Sequence, residues 1–134
     1  MHPLERFLVG SELEMRYREV TLGSDHSFLV TEPSAAKQYL CELYGSNGDR
    51  PVTTVMPSDN GPPEVAEVVD AVAAEAAVIE ETSCYEAWAE RMGFDLDSRR
   101  GARVYRTERR QAWLLRALLG REAYRKLLWE TERL

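Results

Sequence analysis

The sequence predicts an α+β fold: a small antiparallel β-sheet in the N-terminal half packed with a C-terminal helical bundle. Three observations carry that expectation. Short β-branched and aromatic runs punctuated by turn residues dominate residues 1–56. PSDNGPP, residues 57–63, is the clearest break in the chain. From residue 62 onward, apolar side chains recur at helical spacing. With 134 residues, 44% of them hydrophobic, the chain suits a single domain over 1–134. Residues 1–56 form its strand-rich part with one helix, and 62–134 its helical part.

Residues 13–22, LEMRYREVTL, alternate in part, with Met15 and Tyr17 on one face and Arg16 and Arg18 on the other. SFLVTE, 27–32, follows the turn residues GSDH, and the two runs together predict a β-hairpin. PSAAKQYLCELYG, 33–45, reads as a helix with Pro33 and Ser34 at its start, Tyr39, Leu40, Leu43 and Tyr44 as apolar positions, and Gly45 as its stop. VTTVM, 52–56, reads as a third strand. A valine stripe of Val65, Val68, Val69 and Val72, continued by Ala76 and Ile79, predicts a helix over 64–82. Ser83 stands three residues before Glu86, which suggests a capping box opening a helix over 83–93 that closes at Gly93. Tyr105, Ala112, Leu115 and Leu119 form the stripe of a longer helix, 97–120. Tyr124, Leu127 and Leu128 mark a last one, 121–134.

The formal charge of −6 hides a split. Residues 1–98 hold 19 acids against 6 bases, giving −13, whereas 99–134 hold 11 bases against 4 acids, giving +7. Such asymmetry points to a charged partner or to internal pairing of the two parts. Cys41 and Cys84 make no disulfide framework and read as reduced core residues. The start MHPLERFLVG lacks the pattern of a signal peptide. The run AVAAEAAVI is too short to cross a membrane and is interrupted by Glu75. The expectation is a cytoplasmic protein of a bacterial host cell, with no membrane association.

Chemistry finds few candidates. His2 and His26 lie at the terminus and in the turn SDHS, and the adjacency of Ser, Asp and His in that turn carries almost no catalytic signal, because triads are defined by geometry. Asp95 and Asp97 offer two oxygen ligands where a hard cation needs several more. Asp97 reads instead as an N-cap, accepting free N–H groups and complementing the helix dipole. No Gly-rich phosphate loop or metal-ligand cluster is visible, so no catalytic residue, metal or cofactor is expected.

Charge patterning is more informative. Arg99, Arg103, Arg106 and Arg110 are spaced by four, three and four residues along one helix face, and Trp113 extends the line. Guanidinium groups beside an aromatic suit phosphates or a carboxylate-rich protein. Upstream, residues 59–97 hold eleven acids against the single base Arg91. Glu64, Glu67 and Glu75 lie off the valine stripe, with Asp70 on its polar flank, so these carboxylates are expected to project away from the core. Trp88, Trp113 and Trp129 are core or interface residues by default, with Trp113 the most exposed.

The block from Cys84 to Gly120 resembles the C-terminal module of a widespread family of small proteins encoded by bacteriophages and mobile elements. The resemblance rests on Trp88, Gly93, Phe94, Asp95, Asp97, Ser98, Arg99 or Arg100, and Tyr105, and covers roughly 62–120. Gly101, where alanine is usual, and the basic ending through Arg133 depart from the pattern. The resemblance implies a genomic setting and no activity. The expected function is a non-enzymatic protein that binds and blocks a host protein or ribonucleoprotein defence complex, such as an anti-CRISPR or other anti-defence inhibitor. The contact residues would be Glu64, Glu67, Asp70, Glu75, Arg99, Arg103, Arg106, Arg110 and Trp113. The alternative is a nucleic-acid-binding accessory protein of phage DNA metabolism that uses the Arg/Trp face. Overall acidity disfavours direct nucleic-acid binding, and a homodimer is compatible with either reading.

Overall fold

The computed structural model describes residues 5–9, 15–17, 20–22, 27–31, 38–45 and 50–132. Its strands are β1 (Glu5–Val9), β2 (Met15–Tyr17), β3 (Val20–Leu22), β4 (Ser27–Thr31), β5 (Gln38–Tyr44) and β6 (Val52–Pro57). Its helices are α1 (Val65–Thr82), α2 (Tyr85–Met92), α3 (Arg99–Leu119) and α4 (Arg121–Glu132). The fold is α+β. Strands β1, β4, β5 and β6 form an antiparallel sheet in that order, and β2 pairs with β3 in a separate two-stranded ribbon.

Two elements of the first half differ from expectation. The segment 13–22 carries two short strands paired with each other, Met15 opposite Leu22, and does not form a hairpin with 27–32. β4 pairs instead with β1 on one side and β5 on the other, as a central strand with Phe28 and Val30 buried requires two partners.

The helix expected over 33–45 is replaced by strand β5 over its described residues, and positions 33–37, with Pro33 and Ser34, lie outside them. Tyr39, Cys41 and Leu43 are buried at 7%, 0% and 1% exposure, while the residues between them are not. That is a period of two, and Tyr39, Leu40, Leu43 and Tyr44 merely coincide with a helical spacing. A strand in this place bonds to β4 and β6 at once, which an isolated helical turn could not.

The helical half follows its periodicity. One face of the sheet, with Phe28, Val30, Cys41, Leu43 and Val52, packs on the valine and alanine stripe of α1. α3 adds Ala112 and Leu115, and α4 adds Tyr124, Leu127 and Leu128. Cys41 sits in this core, where burial and then the nearby Glu67 carboxylate push its thiol up to about 11, so it stays protonated. Cys84 was expected in the core as well but is exposed at the α1–α2 junction; both thiols are free.

β6 ends the sheet, and an uncovered strand edge would leave backbone groups open to pairing. α3 addresses this at one point. The Thr53 N–H donates to Oε1 of Gln111 at 2.6 Å, and Gln111 is buried. Gln111→Ala is expected to lower stability by about 1–3 kcal/mol, the cost of an unmet N–H at this half-buried position. Chemical denaturation measures it, and a loss below about 0.5 kcal/mol would show that water replaces the amide.

Candidate functional site

Tyr85, Trp88, Phe94 and Tyr105 build a corner between α2 and α3. α2 ends at Gly93, which adopts φ 80°, and Phe94 turns back so that its N–H donates to the Ala89 carbonyl at 2.8 Å. The Phe94 ring then stacks on Trp88, with centroids 5.5 Å apart and planes 8° from parallel. Tyr105 of α3 tilts against Trp88 at 5.1 Å and against Tyr85 at 5.1 Å. Trp88 is 0% exposed and lies outside the main core cluster, so these rings form a small second core. Its indole Nε1–H donates to Oε2 of Glu108 at 3.1 Å.

Gly101 belongs to the same corner. A Cβ there would stand 3.0 Å from the Phe94 side chain, so glycine lets the ring lie against the first turn of α3. Glycine at position 101 thus has a packing reason.

Capping differs from expectation at both helix starts. Ser98, not Asp97, caps α3: its Oγ accepts the Gly101 N–H at 3.0 Å, and its own N–H donates to the Asp95 carbonyl. The helix begins one turn-residue later than read, and Asp95 and Asp97 are both exposed. At α2 no capping box forms. Ser83 is already committed to ending α1, in a left-handed conformation with φ 66°, and Cys84 takes the N-cap place. A two-residue junction leaves no room for Ser83 to do both.

Beyond this corner α3 runs with Gln111, Ala112 and Leu115 inward and its arginines outward. Arg99, Arg103, Arg106 and Arg110 are exposed, and Trp113 is 67% exposed. Among the described residues no ion pair or hydrogen bond joins those four arginines to a carboxylate. The Arg91–Glu81 pair at 3.2 Å links α2 to α1 on the surface, where such a contact adds little stability.

The arginine stripe is not one site. Arg106, Arg110 and Trp113 line a concavity of about 820 Å³ with Arg109, Arg116, Tyr85 and Tyr105, walled by the C-terminal end of α1. Arg109 lies over the Tyr105 ring at 5.6 Å. Arg103 lines a different cleft, of about 420 Å³ beside β6, that also holds Glu75, Glu108 and Gln111.

The acidic residues divide as well. Glu64 and Glu67 are exposed and Asp70 is half-buried. Glu75 does not project with them. It lies eleven residues beyond Glu64, about three turns on the same side, where α3 crosses and covers α1. Burial first, and then the Glu108 carboxylate, push Glu75 up to about 7. Glu108 is also raised by burial, opposed by the hydrogen bond from Trp88. Two carboxylates in one cleft repel, and the desolvated one takes the proton.

Of the two places expected for Trp129, core or interface, the core is excluded. The residue is 54% exposed on α4, in a further concavity of about 300 Å³ lined by Glu80, Arg116, Arg121, Tyr124, Arg125 and Leu128. The inward stripe Tyr124, Leu127 and Leu128 already placed it off the buried face, so helical periodicity carried the signal. Arg121 and Arg125 of α4 meet Arg116 of α3 at this surface only through the packing of α4 on α3 and α1. His26 and Asp25 lie outside the described residues, as does His2. Among the described residues no group of three or more His, Cys, Asp or Glu could hold a metal ion, and no helix is long and apolar enough to cross a membrane. Comparison of the chain with family models, curated proteins and solved structures gives no match.

Proposed function

We propose that this chain is a non-enzymatic protein of phage or mobile-element type that binds and blocks a host complex handling nucleic acid, such as a CRISPR effector. One observation carries the reading: α3 presents a row of exposed guanidinium groups, unmatched by carboxylates of the described residues, ending on a largely exposed indole. Tryptophan and arginine are the side chains most often found at the energetic centre of interfaces. Several residues that carry the resemblance are accounted for by packing. Gly93, Phe94, Ser98 and Tyr105 close the α2–α3 corner, and their packing accounts for their types without a reaction.

Glu64 and Glu67, on the exposed start of α1, form a second charged surface with Asp70 at its edge. Co-purification with defence complexes from a bacterial lysate separates the two. Reversal of Arg106 and Arg110 to glutamate is expected to abolish capture, and reversal of Glu64, Glu67 and Asp70 to lysine to reduce it less. Capture unchanged by both sets would end the proposal that either charged face makes the contact.

A further inference from the structure

We infer that the concavity between α3 and the end of α1 binds one nucleoside polyphosphate, with its base on the Trp113 indole and its phosphates among Arg106, Arg109 and Arg110. The inference goes beyond the capture of a host complex and needs no second macromolecule. It starts from the order of the lining along α3. Tyr105, Arg106, Arg109, Arg110, Trp113 and Arg116 follow one another at steps of one or three residues on one side of the helix. From Tyr105 to Trp113 is eight residues, about 12 Å of rise, with the three arginines between. An extended nucleoside polyphosphate covers that length. The volume of about 820 Å³ lies inside the range of about 300–1,000 Å³ usual for small-molecule sites.

The two ends of the concavity differ in charge. At the Tyr105 end stands the N-terminus of α2, since the Tyr85 ring lies 5.1 Å from the Tyr105 ring and Cys84 and Tyr85 both line the concavity. No side chain caps that N-terminus, so its first N–H groups and the guanidinium groups favour an anion together. Glu86 of the same turn is exposed and does not line the concavity. Glu80, the one acid of the lining among the described residues, sits at the opposite end, where Arg116 leads into the concavity of α4. Its Oε1 accepts the Tyr124 hydroxyl at 3.0 Å, which holds the carboxylate toward α4. Tyr105 is taken up by Tyr85, Trp88 and Arg109, whereas Trp113 is 67% exposed. One exposed ring beside clustered cations fits a ligand with one base and several charges. An acidic peptide fills the cations and leaves the indole unused, and a polynucleotide strand needs a platform for each successive base.

The test is isothermal titration of the full chain with ATP, GTP and inorganic tripolyphosphate, without divalent cations, with tryptophan emission followed in parallel. Binding of ATP and GTP that quenches emission and is about fivefold or more tighter than that of tripolyphosphate supports the inference. Trp113→Ala is expected to reduce that preference to within about twofold, and Trp113→Phe to keep most of it. Arg106→Ala with Arg110→Ala is expected to weaken ATP binding about tenfold or more. All three positions are exposed, so the substitutions spare the core, and a thermal melt confirms folding. Arg99→Ala, outside the concavity, should change affinity less than about twofold. No binding of ATP at about 1 mM in 50 mM salt overturns the inference. So does equal affinity for ATP and tripolyphosphate, which marks a site for anions alone. A 15-nucleotide oligo(dT) bound about tenfold tighter than ATP overturns it as well and assigns the face to a strand. Equal competition by poly-glutamate, unaffected by Trp113→Ala, overturns it in favour of an acidic protein.

Discussion

Trp88→Ala is expected to remove about 3–5 kcal/mol of stability, the range for deleting a fully buried large aromatic. Against a total of about 5–15 kcal/mol for a domain, that loss alone brings the chain near unfolding at room temperature. The reason is local. Trp88 touches Tyr85, Phe94 and Tyr105, so its removal empties the centre of the small core that fixes α2 against α3. It also removes the Nε1 donor of Glu108, leaving that carboxylate in its cleft with less compensation. Trp88→Phe separates the two effects, since it keeps most of the ring contact and loses only the donor. Urea denaturation of both variants measures them. A cost below about 1 kcal/mol for alanine would mean that the corner does not hold the helices together.

Glu75→Gln is expected to stabilise the protein above neutral pH and leave it unchanged in acid. Glu75 titrates near 7 when folded, against an ordinary value of 4.5, because burial and Glu108 disfavour its charge. Below about pH 4.5 both folded and unfolded chains hold this proton, and the group costs nothing. Between about 4.5 and 7 the folded chain retains a proton that the unfolded chain has released, so stability falls as pH rises. Above about 7 the full penalty applies. Glu108 is shifted in the same direction and adds to the slope. Because Glu75 is only partly buried, solvent reduces the penalty to roughly 1–2 kcal/mol. The amide carries no charge and removes it. Melting temperatures of the two proteins should coincide near pH 4.5 and diverge by several degrees at pH 8, with the variant higher. A constant difference across that range would show that the carboxylate is not charged against burial.

The strands of the first half show where sequence reading loses hold. Met15, Tyr17 and the turn residues GSDH fit a hairpin with 27–32, yet β4 takes β1 and β5 as neighbours. Strand pairing joins residues far apart in sequence, and local alternation does not name the partner. In β5 the spacing of Tyr39, Leu40, Leu43 and Tyr44 serves a helix and a strand equally well at seven residues' length. The sheet decided it, by placing β4 and β6 where both rows of backbone groups could bond.

The helical half was determined by the sequence. A 3.6-residue period sustained over 18 to 21 residues fixes both the helix and its buried face, because each turn repeats the same information. Val65 to Ala77, Ala112 and Leu115, and Tyr124 to Leu128 all lie where that period puts them. The exposure of Arg106, Arg110 and Trp113 follows from it as well. What only the tertiary structure decided is which charges meet. Glu75 faces Glu108 because α3 crosses α1 there, and Arg116 unites the surroundings of Trp113 and Trp129 because α4 folds back beside α3. Periodicity tells a side chain which way to point along its own axis. The field it meets is set by the angle at which another helix arrives, and no single stretch of sequence contains that angle.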